Sequence, residues 1–195
     1  MALLTRLGLP GDEQAWAALG FTVRDGAMRV GQLTCTFGEA SWGFDETHAE
    51  MKLLGVPESP VEGSPPDGAA THPNAVTKVD HVVYWVPDLD TAITNLTAVL
   101  GDPPRRRFHP RGPDGPEMAF YRVGEAFVEV VTSGQPEALV GVAFRSSDLD
   151  ATVAAVRAAG GPIGDPKPAV QGGRIASVWH GHTDWGIAFM EAPAR

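Results

Sequence analysis

An internal repeat of a strand-and-helix pattern constrains this chain more than any other feature of its sequence. The segment VDHVVYWVPDLDTAITNLTAVLG at 79–101 parallels LVGVAFRSSDLDATVAAVRAAGG at 139–161. In each segment an apolar, strand-like run precedes an aspartate, Asp88 or Asp148, that is placed to cap a helix, and a glycine is placed to end that helix. The sequence therefore predicts two copies of one supersecondary module.

Each module is predicted to contain one strand, one helix and three further strands. The first predicted helix has one apolar face at the 3.6-residue period, formed by Leu89, Ile93, Leu96 and Leu100. Short strand-like runs follow it near 106–108, 118–123 and 126–131. The two modules also end alike, with GEAFVEV and GIAFMEA, so Glu129 and Glu191 occupy equivalent places in the repeat.

The first 37 residues are predicted to be a third, weaker copy, because a strand-like run, a helix cap, a helix-ending glycine and a hairpin turn come in the same order. Aligned on these landmarks, Leu4 takes the place of His81, and Thr36 takes the place of Glu129. This copy keeps the scaffold pattern without the polar pair. Residues 38–54 are expected to supply a strand end and a short amphipathic helix.

A Pro- and Gly-rich segment at 55–75 is poor in large apolar residues and is predicted to be a surface linker. We therefore expect a degenerate N-terminal module at 1–54 and paired βαβββ modules at 76–133 and 139–192. The predicted fold class is α+β. An odd module leaves a sheet edge that needs cover, from the linker, from packing on the pair or from a second subunit, and this suggests a homodimer.

The charge of the chain argues against nucleic acid as a partner, since its net charge is −9 and its pI is about 5.0. Its basic cluster, Arg105, Arg106 and Arg107, is interpreted as a solvated loop edge, with a pocket for an anionic ligand as the alternative. The single cysteine, Cys35, excludes an internal disulfide and a cysteine-based zinc site. The sequence has no apolar run long enough to cross a bilayer and no signal-peptide pattern, so a cytoplasmic protein without a membrane partner is expected.

Three polar side chains stand in otherwise apolar strands: His81, Glu129 and Glu191. By strand alternation His81 shares a face with Val83 and Trp85, Glu129 with Phe127 and Val131, and Glu191 with Ile187 and Phe189. Burial would raise the pKa of a carboxyl group on such a face, which suits it to general-base chemistry. For His81 the alternative is a core histidine that bonds a backbone carbonyl, and for Glu191 it is a solvated residue near the end of the chain.

Repeated strand–helix–three-strand modules, with DH in a first strand and glutamate in a fourth, resemble the vicinal oxygen chelate superfamily of glyoxalases, bleomycin-resistance proteins and extradiol dioxygenases. The chain also looks like a set of glyoxalase-like proteins in which the tripeptide HPN precedes a first strand ending in PDLD. This resemblance implies that two modules pair into a cupped mixed sheet. It also implies metal ligands on the first and fourth strands of each module. Those positions here are His81, Glu129, Gly141 and Glu191.

Since Gly141 offers no ligand, the resemblance implies a metal set of His81, Glu129 and Glu191 for Zn, Ni, Mn or Mg. The alternative is a cup that binds no metal. Glu129 and Glu191 are the candidate catalytic carboxylates. Candidate substrate-binding residues are Trp85, Tyr121, Arg122 and Arg174, and His180 and His182 are second-choice ligands.

Two functions remain open at this point. The first is a metal-assisted lyase or isomerase that acts on a small oxygenated molecule in the cup. The second is a metal-free protein of the bleomycin-resistance type that sequesters an antibiotic or a metabolite. The retained polar residues favour the first function, and the glycine at position 141 favours the second.

Overall fold

The computed structural model describes residues 2–60, 71–110, 112, 114–170 and 172–192. The N-terminal part forms four strands, a short helix and a 3₁₀ helix: β1 (Leu3–Pro10), α1 (Glu13–Ala17), β2 (Ala27–Val30), β3 (Leu33–Gly38), β4 (Ser41–Asp45) and the 3₁₀ helix Met51–Leu54. Residues 61–70 of the predicted linker lie outside the described residues.

The first of the two paired modules comprises β5 (Val76–Val86), α2 (Leu89–Leu100), β6 (Arg106–Phe108), β7 (Met118–Val123) and β8 (Ala126–Thr132). The second comprises β9 (Ala138–Ser146), α3 (Leu149–Ala158), β10 (Lys167–Pro168), β11 (Arg174–Ser177) and β12 (Gly186–Glu191). The predicted α+β fold of tandem βαβββ modules is confirmed.

The two modules share one eight-stranded mixed sheet in the order β10-β11-β12-β9-β5-β8-β7-β6. Within each module the first strand pairs in parallel with the last, and the two first strands, β5 and β9, pair antiparallel at the centre. Because the first strands lie side by side, residues on one face of β5 and β8 reach the middle of the sheet. The predicted pairing therefore places His81 and Glu129 near the junction of the modules.

The helix caps predicted from the repeat are confirmed. The side chain of Asp88 accepts the backbone N–H of Thr91 at 2.8 Å, and that of Asp148 accepts the N–H of Ala151 at 2.9 Å. Gly101 ends α2 in the left-handed conformation, with φ of 79°, which other residues adopt at a cost. These local signals fix where each helix begins and ends, and hence how each module folds back on the sheet.

The N-terminal module departs from the predicted pattern in two ways. First, the segment before β2 contributes only a bridge between Arg24 and Ala27, where a further strand was predicted. Second, the sheet has the order β2-β3-β1-β4, and β4 pairs antiparallel with β1 as β9 does with β5. The N-terminal part therefore contains three strands of one module and the first strand of another.

The register of β1 corrects the predicted alignment of the third copy. The pairing of β1 with β4 shifts by one residue between Leu4 and Arg6, as the pairing of β5 with β9 shifts between Val79 and His81. Arg6, and not Leu4, therefore occupies the position of His81. Its guanidinium binds Asp45 at 2.9 Å and contacts the Thr5 hydroxyl at 3.1 Å.

The N-terminal module packs against the paired modules in one hydrophobic core. The ring centroid of Phe21 lies 4.9 Å from that of Phe144 on β9, and Trp42 on β4 lies 4.9 Å from Tyr84 on β5. The backbone of residues 57–59 pairs with Trp42 along the edge of β4. This edge is thus covered from within the chain, as one of the predicted alternatives required. The boundaries at 54 and 75 stay predictions.

Residues of the HPN segment tie the end of the linker to the N-terminal module. The Nδ1 atom of His72 accepts the N–H of Thr22 at 3.1 Å, and Nε2 donates to the carbonyl of Arg29 at 2.9 Å. The Asn74 side chain donates to the carbonyl of Leu19 at 2.8 Å and is fully buried. In the described part of the chain, no helix combines the length and the apolar character needed to span a membrane.

Candidate functional site

A β-bulge in β5 brings two consecutive polar side chains to the same side of the sheet. Asp80 is the extra residue between the Val79–Phe144 and His81–Ala143 pairs of β5 and β9. A bulge of this kind interrupts the alternation of side chains and re-aims one of them. Asp80 therefore lies beside His81 and lines the same cavity, although strict alternation would place it on the opposite face.

Asp80, His81 and Glu129 form a chain of ionisable groups. The Oδ2 atom of Asp80 lies 2.9 Å from Nδ1 of His81, and Nε2 of His81 lies 3.7 Å from Oε2 of Glu129. Glu129 reaches this position because β8 pairs in parallel with β5, with Glu129 opposite Val83. The gap between His81 and Glu129 is too long for a hydrogen bond, so both groups present free polar atoms to the cavity.

The pKa values of the two partly buried carboxyl groups are shifted in opposite directions. Burial raises the pKa of Glu129; the His81 charge opposes that rise and Asp80 adds to it. Burial would also raise the pKa of Asp80, but hydrogen bonds and charges from His81 and Arg145 outweigh it and lower the pKa. Asp80 is therefore held as a carboxylate, whereas Glu129 retains a proton more readily than an exposed glutamate does.

Because an ionised carboxylate can only accept hydrogen bonds, Nδ1 of His81 carries the ring proton that Asp80 binds. A neutral His81 then has its lone pair on Nε2, which faces Glu129. Arg145 binds the other oxygen of Asp80 through Nη2 and through Nε at 3.1 Å. The orientation of His81 is thus fixed through Asp80 by a cation from the second module.

These residues lie in a cavity of about 460 Å³ on the face of the eight-stranded sheet, which we call the cup. Its volume falls in the range typical of small-molecule sites. Polar and apolar side chains both line it: Asp80, His81, Arg105, Arg106, Phe108, Phe120, Phe127, Glu129, Arg145 and Met190, with Gly172. One wall is aromatic, because the rings of Phe108 and Phe120 stack with centroids 5.8 Å apart.

Glu191, predicted as a catalytic residue and a metal ligand, does not reach the cup. Its carboxylate binds Arg174 at 2.7 Å and lies 3.5 Å from the backbone N of Leu149 in α3. On β12, Ile187 and Phe189 are buried and Met190 lines the cup, so Glu191 belongs to the helix side of the sheet. In the strand pairing Glu129 lies opposite Val83, whereas Ala188 lies opposite Ala143, the counterpart of Val83 in the repeat. The aligned endings GEAFVEV and GIAFMEA therefore differ by three residues in register, and an odd shift exchanges the two faces.

The four predicted substrate-binding residues also lie outside the cavity lining. Tyr121 is buried beneath α2, where its hydroxyl donates to the carbonyl of Ile93 at 3.2 Å. Arg174 is held by Asp150 and Glu191 on the helix side. Trp85 lies on β5, 39% exposed, and Arg122 is exposed and donates to the carbonyl of Gly124.

The second-choice histidines do not join the site. His182 bonds the carbonyl of Ala15 at 2.8 Å and so anchors α1, and His180 is exposed in the same loop.

The residues that sequence reasoning missed are Asp80 and Arg145. Strand alternation alone would place Asp80 on the face opposite His81, and a bulge is not visible in a strand pattern. Arg145 had one available signal, an arginine in the first strand of the second module.

The residues of the cup do not fit the predicted metal set. Among the described residues, no three His, Cys, Asp or Glu side chains come together in a metal-binding arrangement. Gly141 cannot supply a substitute, because a Cβ there would lie 2.9 Å from the carbonyl oxygen of Gly186. His81 and Glu129 lie 3.7 Å apart, and Asp80 beside them is already bound by Arg145.

Comparisons with known proteins agree with this architecture. A family model described as the Glyoxalase/Bleomycin resistance protein/Dioxygenase superfamily matches residues 80–177. Among the curated proteins, none matches the chain.

Solved structures with a similar fold include a methylmalonyl-CoA epimerase from Mycobacterium tuberculosis, at 23% identity and a TM-score of 0.51, covering 62% of this chain and 91% of that chain. A Streptomyces coelicolor methylmalonyl-CoA epimerase variant in complex with 2-nitronate-propionyl-CoA matches at 18% identity and a TM-score of 0.50, covering 61% and 96%. A hypothetical protein from Bacillus halodurans C-125 matches at 16% identity and a TM-score of 0.50, covering 60% and 96%. At these identities the likeness shows the fold alone. With the family match and the paired modules together, the chain belongs to the glyoxalase/bleomycin resistance protein/dioxygenase group, the vicinal oxygen chelate superfamily.

Proposed function

We propose that this protein is an isomerase or lyase that moves a proton at the carbon next to a carbonyl group of a small molecule. The observation that carries the proposal is the pair formed by His81 and Glu129, which face each other across 3.7 Å inside the cup. Burial raises the pKa of Glu129, which brings this carboxyl group closer to the range in which it exchanges protons near neutral pH.

Each group of the pair has a distinct role in this proposal. Glu129 as a carboxylate removes the carbon-bound proton, while protonated His81 donates from Nε2 to the oxygen on which negative charge develops. Asp80 stabilises the imidazolium form through Nδ1, and Arg145 keeps Asp80 ionised. The residues of this chain supply the acid and the base, and no step is assigned to a metal.

Proton exchange with solvent tests the proposal. The probes are methylmalonyl-CoA, which is bound in a solved structure of an epimerase with this fold, and benzylpyruvate, a small aromatic 2-oxo acid. Incorporation of deuterium from D₂O next to the carbonyl is followed by proton NMR. We expect catalysed exchange of at least one probe, and we expect Glu129→Gln to slow it by about 100-fold or more, the usual contribution of a general base.

The chain supplies a matched control for this experiment. Glu191→Gln changes the corresponding glutamate of the second module, which lies on the helix side with Arg174. We expect this variant to exchange protons at the wild-type rate. Equal losses in Glu129→Gln and Glu191→Gln would contradict the assignment of Glu129.

A second candidate is capture of a small molecule without turnover. It is favoured by the aromatic wall of Phe108 and Phe120 and by the failure of the cup to assemble the predicted metal set. Binding of a probe with no exchange in the wild-type protein would support capture and contradict the enzyme.

A homodimer also stays a proposal, suggested by the strands β6 and β10 at the two edges of the eight-stranded sheet. A monomeric mass in light scattering would contradict it.

A further inference from the structure

The three consecutive arginines that precede and enter β6 divide between the two faces of the sheet. Arg107 turns to the helix side, where it binds Glu117 at 2.5 Å and Asp90 at 2.6 Å. Arg105 and Arg106 line the cup. Among the described residues, no carboxylate lies within ion-pair distance of either one. The solvated edge expected from the sequence therefore contains two unneutralised cations at a cavity.

The balance of charge inside the cup is consequently positive. The negative charge of Asp80 is taken up by Arg145, and burial disfavours the charged form of Glu129. Arg105 and Arg106 bring two further cationic side chains to the cavity, although the chain as a whole has a net charge of −9. A cavity with low-dielectric walls and charge of one sign concentrates ligands of the opposite sign. The cup thus selects for an anion.

The aromatic wall of the cup indicates the shape of the uncharged part of the ligand. The rings of Phe108 and Phe120 stack at an interplanar angle of 20°, and Phe127 and Met190 lie on the same lining. The guanidinium carbon of Arg106 lies 3.9 Å from the centroid of Phe108, a cation–π contact that orders the side chain. An ordered guanidinium presents two parallel N–H donors, which match the two oxygens of a carboxylate.

We propose that the ligand of the cup is a small carboxylic acid with a flat apolar body. Arg106 binds its carboxylate, with Arg105 beside it, and the body lies against Phe108 and Phe120. This inference rests on the proposed function in one respect only, namely that the reactive carbon of such a ligand lies at His81 and Glu129.

Calorimetric titration with 2-naphthoate and its neutral isostere 2-naphthamide tests the inference on the full chain. We expect the wild-type protein to bind naphthoate about tenfold more tightly than naphthamide, as a charge-assisted pair would give. We expect Arg106→Gln to remove this preference, and added salt to weaken the binding of naphthoate alone. Equal affinities for the two compounds in the wild type, or no binding of naphthoate at millimolar concentration, would overturn the inference.

Arg107→Gln is the matched control, since it removes one positive charge from the same strand on the helix side of the sheet, outside the cavity lining. It should keep the preference for naphthoate, and an equal loss in both variants would overturn the role of Arg106. Circular dichroism checks that each variant is folded. If Arg106→Gln is unfolded, Arg105→Gln and the salt series in the wild type decide between the same outcomes.

The two proposals fail in different ways. Naphthoate binding that depends on Arg106, with no proton exchange for any probe, supports the ligand class and contradicts the enzyme. Catalysed exchange, with equal affinity for the acid and the amide, supports the enzyme and contradicts the ligand class.

Discussion

Asp80 determines which nitrogen of His81 carries the ring proton. It binds Nδ1 at 2.9 Å, and His81 and Arg145 together keep its pKa below the ordinary value despite burial. An asparagine can offer either its oxygen or its amide to Nδ1, so it neither fixes the tautomer nor stabilises the imidazolium form. We expect Asp80→Asn to lower kcat for proton exchange by about tenfold or more, a typical effect of losing the partner that orients a histidine.

Asp80 is a positioning residue, so the decisive readout is how its substitution divides between kcat and KM. The KM of the probe should change little, whereas kcat should fall because the imidazole loses the partner that orients it. A change confined to KM, or equal changes in kcat and KM, would mean that Asp80 only supports the structure.

Gly141 shows why the position of a missing metal ligand cannot be refilled by substitution. A Cβ at this position meets the backbone of Gly186 at 2.9 Å, and both residues belong to paired strands at the centre of the sheet. We expect Gly141→His to destabilise the fold by about 1–3 kcal/mol, as overpacking does, and not to bind zinc. Thermal unfolding and elemental mass spectrometry measure the two outcomes. A stable variant with stoichiometric zinc would contradict this account.

At the scale of elements, the contact between the HPN segment and the N-terminal module depends on a neutral histidine. Burial lowers the pKa of His72, although its hydrogen bond to the Arg29 carbonyl acts in the opposite direction. The unfolded chain binds a proton near pH 6.5, whereas the folded chain binds it only at lower pH. Stability from this contact is therefore complete above pH 6.5 and is lost as the pH falls through the folded-state pKa.

We expect this loss to be about 1 kcal/mol, because protonated Nδ1 can no longer accept the N–H of Thr22. Urea unfolding at several pH values measures it. His72→Asn keeps an acceptor near Nδ1 and should remove this part of the pH dependence, while His180→Asn, at an exposed position, should retain it. The same pH dependence in His72→Asn as in the wild type would contradict the assignment.

The sequence was sufficient to predict the elements of the two paired modules, but not the faces on which Asp80 and Glu191 lie. Aspartate caps, the helical period and glycine stops are local signals, so both paired modules were predicted correctly. Whether a strand contains a bulge depends on its partner strand, and the bulge at Asp80 therefore could not be read from alternation. The face of Glu191 was missed because the two similar endings differ by an odd number of residues in register, which exchanges the cup side for the helix side.

At the scale of the whole molecule, the N-terminal module completes the core of the paired modules. Phe21 contacts Phe144 and Phe189, which are two of the buried residues of the second module. A chain that begins at residue 71 would expose these rings to water, and large apolar patches of this kind promote association. We expect it to lose cooperative thermal unfolding and to aggregate.

Calorimetry and light scattering on this shortened chain, with the full chain as the control, test the expectation. Phe21→Ala in the full chain should be milder and destabilise the fold by about 3–5 kcal/mol, as truncation of a buried aromatic does. A monodisperse shortened chain with a sharp unfolding transition would show that the paired modules are independent of the N-terminal module.

The bulge at Asp80 has a geometric counterpart in β1. In the N-terminal copy Thr5, Arg6 and Asp45 stand where Asp80, His81 and Arg145 stand in the cup. Each copy has an ion pair across its two central strands, but in the N-terminal copy the cation stands at the position of His81 and the aspartate at the position of Arg145. The N-terminal copy thus keeps the strand geometry of the cup without the His81–Glu129 pair, and it contributes to the shared hydrophobic core.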